Sequence, residues 1–167
     1  PQVSPLFSQS LARQCLMVLE QDPAAILLEF GAGSGAMALD MLLYLEYMDC
    51  LPAAYWILEL SSELKQRQKA LIQERAPHLL AKVHWLSSLP QEPFCGVVLA
   101  NEVLDAMPVH KVVWDQGFKE SYVGVKDGAF CWQDGRLSSV ELKDSLNNLP
   151  IPKHNRYETE INLNING

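Results

Sequence analysis

The apolar positions of this chain follow two kinds of pattern, and the change comes after Pro108. Before it, short apolar runs alternate with longer amphipathic stretches. Leu6, Phe7, Leu11, Cys15, Val18 and Leu19 give a helical stripe over residues 4–21; Ser4 can cap it, Pro5 suits its first turn and Asp22-Pro23 stops it. AILLEF (25–30) is a short apolar run halted by glycine, as in a strand buried on both faces. A helix follows from Ser34 to about Asp49, then a second buried strand, AAYWILEL (53–60), then a helix capped by Ser61 or Ser62 and running to about Arg75. KVHWL (82–86) and GVVLANE (96–102) supply a third and a fourth strand. This alternation predicts an α/β fold: a parallel sheet with helices on both faces and right-handed crossovers.

Beyond Pro108 the texture changes. HKVVWD, KESYVGV and AFCWQ are strand-like segments separated by the turn signals Gln116-Gly117 and Lys126-Asp127-Gly128. They predict an antiparallel β meander attached to the sheet after the fourth strand, followed by a helix from Leu137 to Asn148. The tail past Pro150 and Pro152 is polar and weakly patterned. The chain opens on Pro1 directly before an amphipathic helix and closes on INLNING, where a new segment starts, so a truncated piece of a longer protein is expected.

Composition narrows the function classes. The 167 residues, 49% hydrophobic and 20% charged, suit one globular domain. A net charge of −7 argues against nucleic-acid partners, which need clustered Lys and Arg. The local basic cluster Lys65, Arg67 and Lys69 is read as a solvated helix face. No apolar run reaches the length of a membrane span, so no membrane partner is expected. Cys15, Cys50, Cys95 and Cys131 lack CxxC spacing; three lie in apolar stretches and are expected to be buried, reduced thiols in a reducing compartment. His78, His84, His110 and His154 form no HxxxH or HExxH pair, so no metal is expected.

The chemistry concentrates at strand ends. Gly31-Ala32-Gly33-Ser34-Gly35 falls between the first strand and its helix, where glycine lets the backbone turn and approach a ligand without a Cβ in the way. With Ala36 it also fits the looser dinucleotide pattern G-x-G-x-x-A. A pyrophosphate there would meet Glu29, an unhelpful like charge, whereas S-adenosylmethionine (SAM) has no phosphate and carries an ammonium and a sulfonium. Glu59, followed by Leu60, ends the second strand and suits both hydroxyls of a ribose, which NAD and SAM share. The bland alternative makes both acids ordinary strand-end charges. Ser87-Ser88-Leu89-Pro90 either borders the adenine, through Ser88 and Leu89, or is a polar turn. Asn101, Glu102 and Asp105 follow the fourth strand; the N-P-P-aromatic signature of nucleobase methylation is lacking, and two carboxylates suit a cationic guanidinium. Against this stands helix capping by Asn101 and plain exposure of Asp105.

PQVSPLFSQSLARQ, LEFGAGSGAMALDML, YWILELSSELKQRQ and LANEVLDAMPVH, in this order and spacing, resemble the MidA-like SAM-dependent methyltransferases, a family that includes the mitochondrial arginine methyltransferase required for complex I assembly. The resemblance implies a class I, Rossmann-like methyltransferase fold with SAM as cofactor. It implies SAM contacts from Glu29, Gly31, Gly33, Ser34, Gly35, Glu59, Leu60 and the Asn101-Glu102 edge, with Pro5 and Leu6 covering the site. Family members are about twice this length. The implied layout is a SAM-binding core over 1–108, a substrate-side element over 109–150, and a tail over 151–167 leading into a further half.

The activity so implied is methylation of a protein arginine, with Glu102 and Asp105 orienting the acceptor, and the implied partner is a complex I subunit. The compartment would be a bacterial cytoplasm or the mitochondrial matrix. An uncovered sheet edge would allow a homodimer. A non-catalytic SAM-binding assembly factor is the second reading, and an NAD-dependent oxidoreductase the third, although no residue offers itself as a hydride-transfer acid or base.

Overall fold

The computed structural model describes residues 4–150 and 155–165. Pro1 to Val3 of the opening block, Pro152, His154 and the closing Asn166-Gly167 lie outside the described residues. The chain forms two compact units that divide between Val103 and Leu104.

The first unit begins with α1 (Leu6–Leu19), which starts one residue after Pro5; the Leu6 amide donates to Ser4 Oγ at 3.3 Å. Ala12, Cys15, Leu16 and Leu19 bury one face of it at helical spacing. Four parallel strands follow in the order β3-β2-β1-β4: β1 (Ile26–Phe30), β2 (Ala54–Leu58), β3 (Val83–Leu86) and β4 (Gly96–Ala100). Between them run α2 (Ala36–Tyr47) and α3 (Ser62–Arg75). Ser61 caps α3, accepting from the Leu64 amide at 3.3 Å. The fold is the parallel α/β arrangement that the strand-helix alternation predicts.

The helices do not divide between the two sheet faces. The buried residues of α1, α2 and α3 form one core with Leu27, Tyr55, Ile57, Val83 and Leu99, all from the same face of the sheet. On the opposite face, Leu28 is buried, Trp56 stacks at a tilt on Phe94 at 5.2 Å, and Val98 is 52% exposed. The cause is the connection 87–95 from β3 to β4, which contains no helix. Two prolines and no helical stripe in SSLPQEPFC make that connection a loop.

The second unit holds the antiparallel meander expected after the fourth strand, hydrogen-bonded as a sheet of its own and not as part of the parallel one. Its order is β7-β6-β5-β8, with β5 (His110–Trp114), β6 (Phe118–Lys126), β7 (Ala129–Gly135) and β8 (Tyr157–Ile161), every pair antiparallel. The helix expected over 137–148 is α4 (Val140–Asn148), capped by Ser139, which accepts from Leu142 at 3.1 Å. Leu142 and Leu146 pack on Val112 and Ile161. Strand β8 lies in the tail expected to be polar and weakly patterned: its register on β5 runs from His110–Ile161 to Trp114–Tyr157.

All four cysteines are free, and only Cys15 is buried. Cys95 is exposed and Cys50 and Cys131 are half-buried, against the expectation of three buried thiols. Cys131 lies on β7, an edge strand of the second sheet, where apolar neighbours in sequence do not provide cover. No helix among the described residues is long and apolar enough to cross a membrane.

Candidate cofactor site

Parallel pairing brings four loops to one edge of the first sheet. The last paired residues are aligned: Phe30 with Leu58, Leu58 with Leu86, and Phe30 with Ala100. The segments leaving those residues therefore start level with one another. They are the glycine loop after β1, Glu59-Leu60 after β2, Ser87-Ser88-Leu89 after β3 and Asn101-Glu102 after β4. Strand β1 sits between β2 and β4, so its loop occupies the point where strand order reverses, the usual ligand crevice of an open α/β sheet.

The glycine loop needs its glycines for different reasons. Gly33 has φ +55°, a left-handed backbone, and a Cβ there would meet nothing within 4 Å. Conformation, not packing, excludes other residues, and the space above the loop is open. Gly35 has φ +82°, and a Cβ there would lie 3.1–3.2 Å from Gln68 of α3. This glycine lets α3 approach. The loop is tied to its neighbour strand by the Gly31 amide, which donates to the Leu58 carbonyl at 2.9 Å.

Glu59 is buried, and both its oxygens are engaged. Oε1 accepts from the Ser61 amide at 2.9 Å, and Oε2 accepts from Gln68 Nε2 at 3.2 Å. A carboxylate has about four lone-pair sites, so about two remain for further donors. Glu29 is also buried, on the helix-covered face, and its Oε2 accepts from Tyr55 Oη at 2.7 Å. Burial pushes its carboxyl up to about 7, against the opposing pull of the Tyr55 hydrogen bond. The Tyr55 phenol is raised in turn, by burial first and by the Glu29 charge second.

The remaining sequence candidates lie as follows. Ser34 is half-buried in the loop, with Oγ accepting from the Ala36 amide at 3.4 Å. Leu60, Ser88 and Leu89 are exposed. Pro5 precedes α1, and Leu6 is 69% exposed. Asn101 is half-buried just past β4. Glu102 is exposed and holds a left-handed backbone, φ +55°, which a residue with a Cβ adopts rarely and at a cost of roughly 1–2 kcal/mol. Asp105 is exposed in a short 3-10 turn, Leu104–Ala106, that belongs to the second unit.

Two residues of the first unit escaped the sequence reading. Tyr55 reaches Glu29 because Glu29 pairs with Ile57, two positions on, which makes the two diagonal neighbours on one face. Gln68 sits on the buried stripe of α3 with Leu64, Leu71 and Ile72; a polar residue at helical spacing among apolar ones was the available signal.

Residues 10–167 match the family described as "Putative S-adenosyl-L-methionine-dependent methyltransferase". The chain belongs to this family. Among solved structures, a COG1565 superfamily member from Burkholderia thailandensis bound to S-adenosyl-homocysteine is 39% identical, with a TM-score of 0.70 over 93% of this chain and 41% of that one. A native crystal structure of a COG1565 superfamily protein from the same organism gives 39% identity and a TM-score of 0.74 over 95% of this chain and 43% of that one. This family chain thus spans about two fifths of the length of those relatives. No curated protein matches it.

Proposed function

We propose that this chain carries the SAM-binding part of a methyltransferase, with the cofactor on the C-terminal edge of the parallel sheet. The single observation that carries the reading is the joint placement of an open left-handed glycine loop and the buried Glu59 on that edge. The solved relative bound to S-adenosyl-homocysteine supports it. The residues fit the group. Gly31 and Gly33 leave room over the loop, and Glu59 retains acceptor sites for two ribose hydroxyls. Glu29, to the extent that it is charged near pH 7, favours a cationic ligand at this strand end over a pyrophosphate.

When bound, SAM supplies an electrophilic methyl group on a sulfonium. The chain's part is to hold that group in place and align it for attack, which can account for much of a rate enhancement. Asn101 and Glu102 border the same edge, and the strained backbone at Glu102 is the kind of feature that collects at functional sites. An arginine acceptor on a protein, oriented by Glu102 and Asp105, is the finer reading. It rests on the likeness of LANEVLDAMPVH to the MidA-like enzymes and on the affinity of carboxylates for a guanidinium. A complex I subunit as that protein partner rests on the likeness alone.

Calorimetry with S-adenosylhomocysteine and with NAD tests the cofactor. S-adenosylhomocysteine should bind and NAD should not. Glu59→Ala should weaken S-adenosylhomocysteine at least about tenfold, since hydrogen bonds to a charged group contribute roughly 1.5–3 kcal/mol. Unchanged affinity in a folded Glu59→Ala protein would remove Glu59 from the site.

A further inference from the structure

One side chain joins three of the four loops or strands that build the site. Gln68 lies in the middle of α3 and is completely buried. A buried amide is costly unless its donors and acceptor are used. Here Nε2 donates to the Gly33 carbonyl at 3.0 Å and to Glu59 Oε2 at 3.2 Å, while Oε1 accepts from the Trp85 indole Nε1 at 2.9 Å.

The chemistry of the partners fixes which way the amide points. An indole nitrogen only donates, and a carbonyl and an ionised carboxylate only accept. A flipped amide would set its NH2 against the indole N–H, and its oxygen against two acceptors. Trp85, on β3, therefore orients Gln68, and Gln68 in turn holds the glycine loop and the β2 acid at one spacing. A Cβ on residue 35 would crowd Gln68 at 3.1–3.2 Å, so the third glycine of the loop eases this contact.

We infer that Gln68 is a positioning residue for the cofactor's ribose: it sets the rotamer of Glu59 and its distance from the glycine loop, and Trp85 sets Gln68. The inference rests on the SAM site proposed above. It differs from a purely structural role in what it affects. A structural residue supports the fold and any ligand equally; this one should matter to the ribose hydroxyls in particular.

The test uses S-adenosylhomocysteine and its 3′-deoxyadenosyl analogue, titrated by calorimetry into wild type, Glu59→Ala, Gln68→Met and Trp85→Phe, each checked for folding by thermal melting. Gln68→Met keeps length and removes every polar bond. It should weaken S-adenosylhomocysteine about tenfold, the scale of a hydrogen bond to a charged group, and weaken the deoxy analogue much less. The preference for the ribose ligand should then collapse. Trp85→Phe leaves the amide in place without its orienting donor and should reduce the same preference, which keeps the test alive if Gln68→Met does not fold. In a Glu59→Ala background, Gln68→Met should add little. If Glu59→Ala leaves S-adenosylhomocysteine binding intact, the ribose site itself is misplaced. If Glu59→Ala weakens binding but the position 68 and 85 variants keep the wild-type preference, or weaken both ligands equally, the positioning role is overturned.

Discussion

Glu29 shows how far a residue's type predicts its role and where its surroundings take over. The sequence places an acid just before the glycine loop. It does not show that Tyr55, across the strand pair, will bury and bind that acid. The carboxyl is held at about 7, above its usual value of about 4.3 in an unfolded chain. Below about 4.3 both states carry the proton and nothing is lost. Between about 4.3 and 7 the folded state keeps the proton and the unfolded state does not, so stability falls as pH rises through that window. Above it the burial of charge costs roughly 3–4 kcal/mol. Glu29→Gln imitates the neutral form. It should match wild type in thermal melts near pH 4 and melt higher than wild type near pH 8, in the absence of cofactor. Equal melting temperatures at both pH values would mean that Glu29 is not held in its neutral form.

At the scale of elements, the helices and the parallel strands were legible because their signals are local: a Ser cap before α3, a glycine stop after β1, helical spacing along α1. The covering of the sheet was not, because it depends on a connection, 87–95, whose prolines leave one face without a helix. Nor was β8, whose alternation Tyr157, Thr159, Ile161 is short and gains meaning only from pairing with β5, dozens of residues earlier. The second unit has its own knot. Buried Glu120 on β6 takes hydrogen bonds from His110 at 2.8 Å, Tyr122 at 2.9 Å and the Ser138 amide at 2.6 Å, tying β5 and the lead into α4 to β6. Burial alone would raise this carboxyl; the bonds from His110, Ser138 and Tyr122 outweigh it and hold the group at about 2. Its folded value lies below the unfolded one. The stabilisation is therefore present above about 4.3 and is lost as pH falls toward 2. Glu120→Gln should lower the melting temperature at neutral pH and narrow the gap to wild type as acid is added. A gap that stays constant down to about pH 2 would show that the charge is not what matters.

At the scale of the molecule, β4 ends the parallel sheet, and among the described residues no strand pairs with its outer edge. Such an edge offers unpaired amides and carbonyls to any strand that reaches it. The half-exposed Val98 on that strand adds an apolar contact. We predict that the 167-residue chain self-associates as its concentration rises, and that Val98→Lys returns it toward monomer, since charge on an edge strand opposes pairing. Sedimentation equilibrium reads the outcome; a wild-type monomer at every concentration would mean the edge is already protected. The two solved relatives are longer than this chain, which covers 41% and 43% of them.

The pairing of β1 with β4 also has a consequence in time. Strands β1 and β2 each pair with the next strand in the chain, but β4 pairs with β1 and not with β3, so Ile26 finds its β4 partner only at Gly96. Closing so long a loop is entropically slow compared with forming the local hairpin-scale contacts. The approach is also unusually tight: Gly96 has φ +154°, and a Cβ on it would lie 1.9 Å from the Ile26 carbonyl oxygen. A nascent chain leaving the ribosome would therefore have its glycine loop and Glu59 in hand well before the fourth side of the crevice arrives. The sheet edge bordered by Asn101 and Glu102 is completed only when residues past Gly96 have been made, so the first unit closes late and not early.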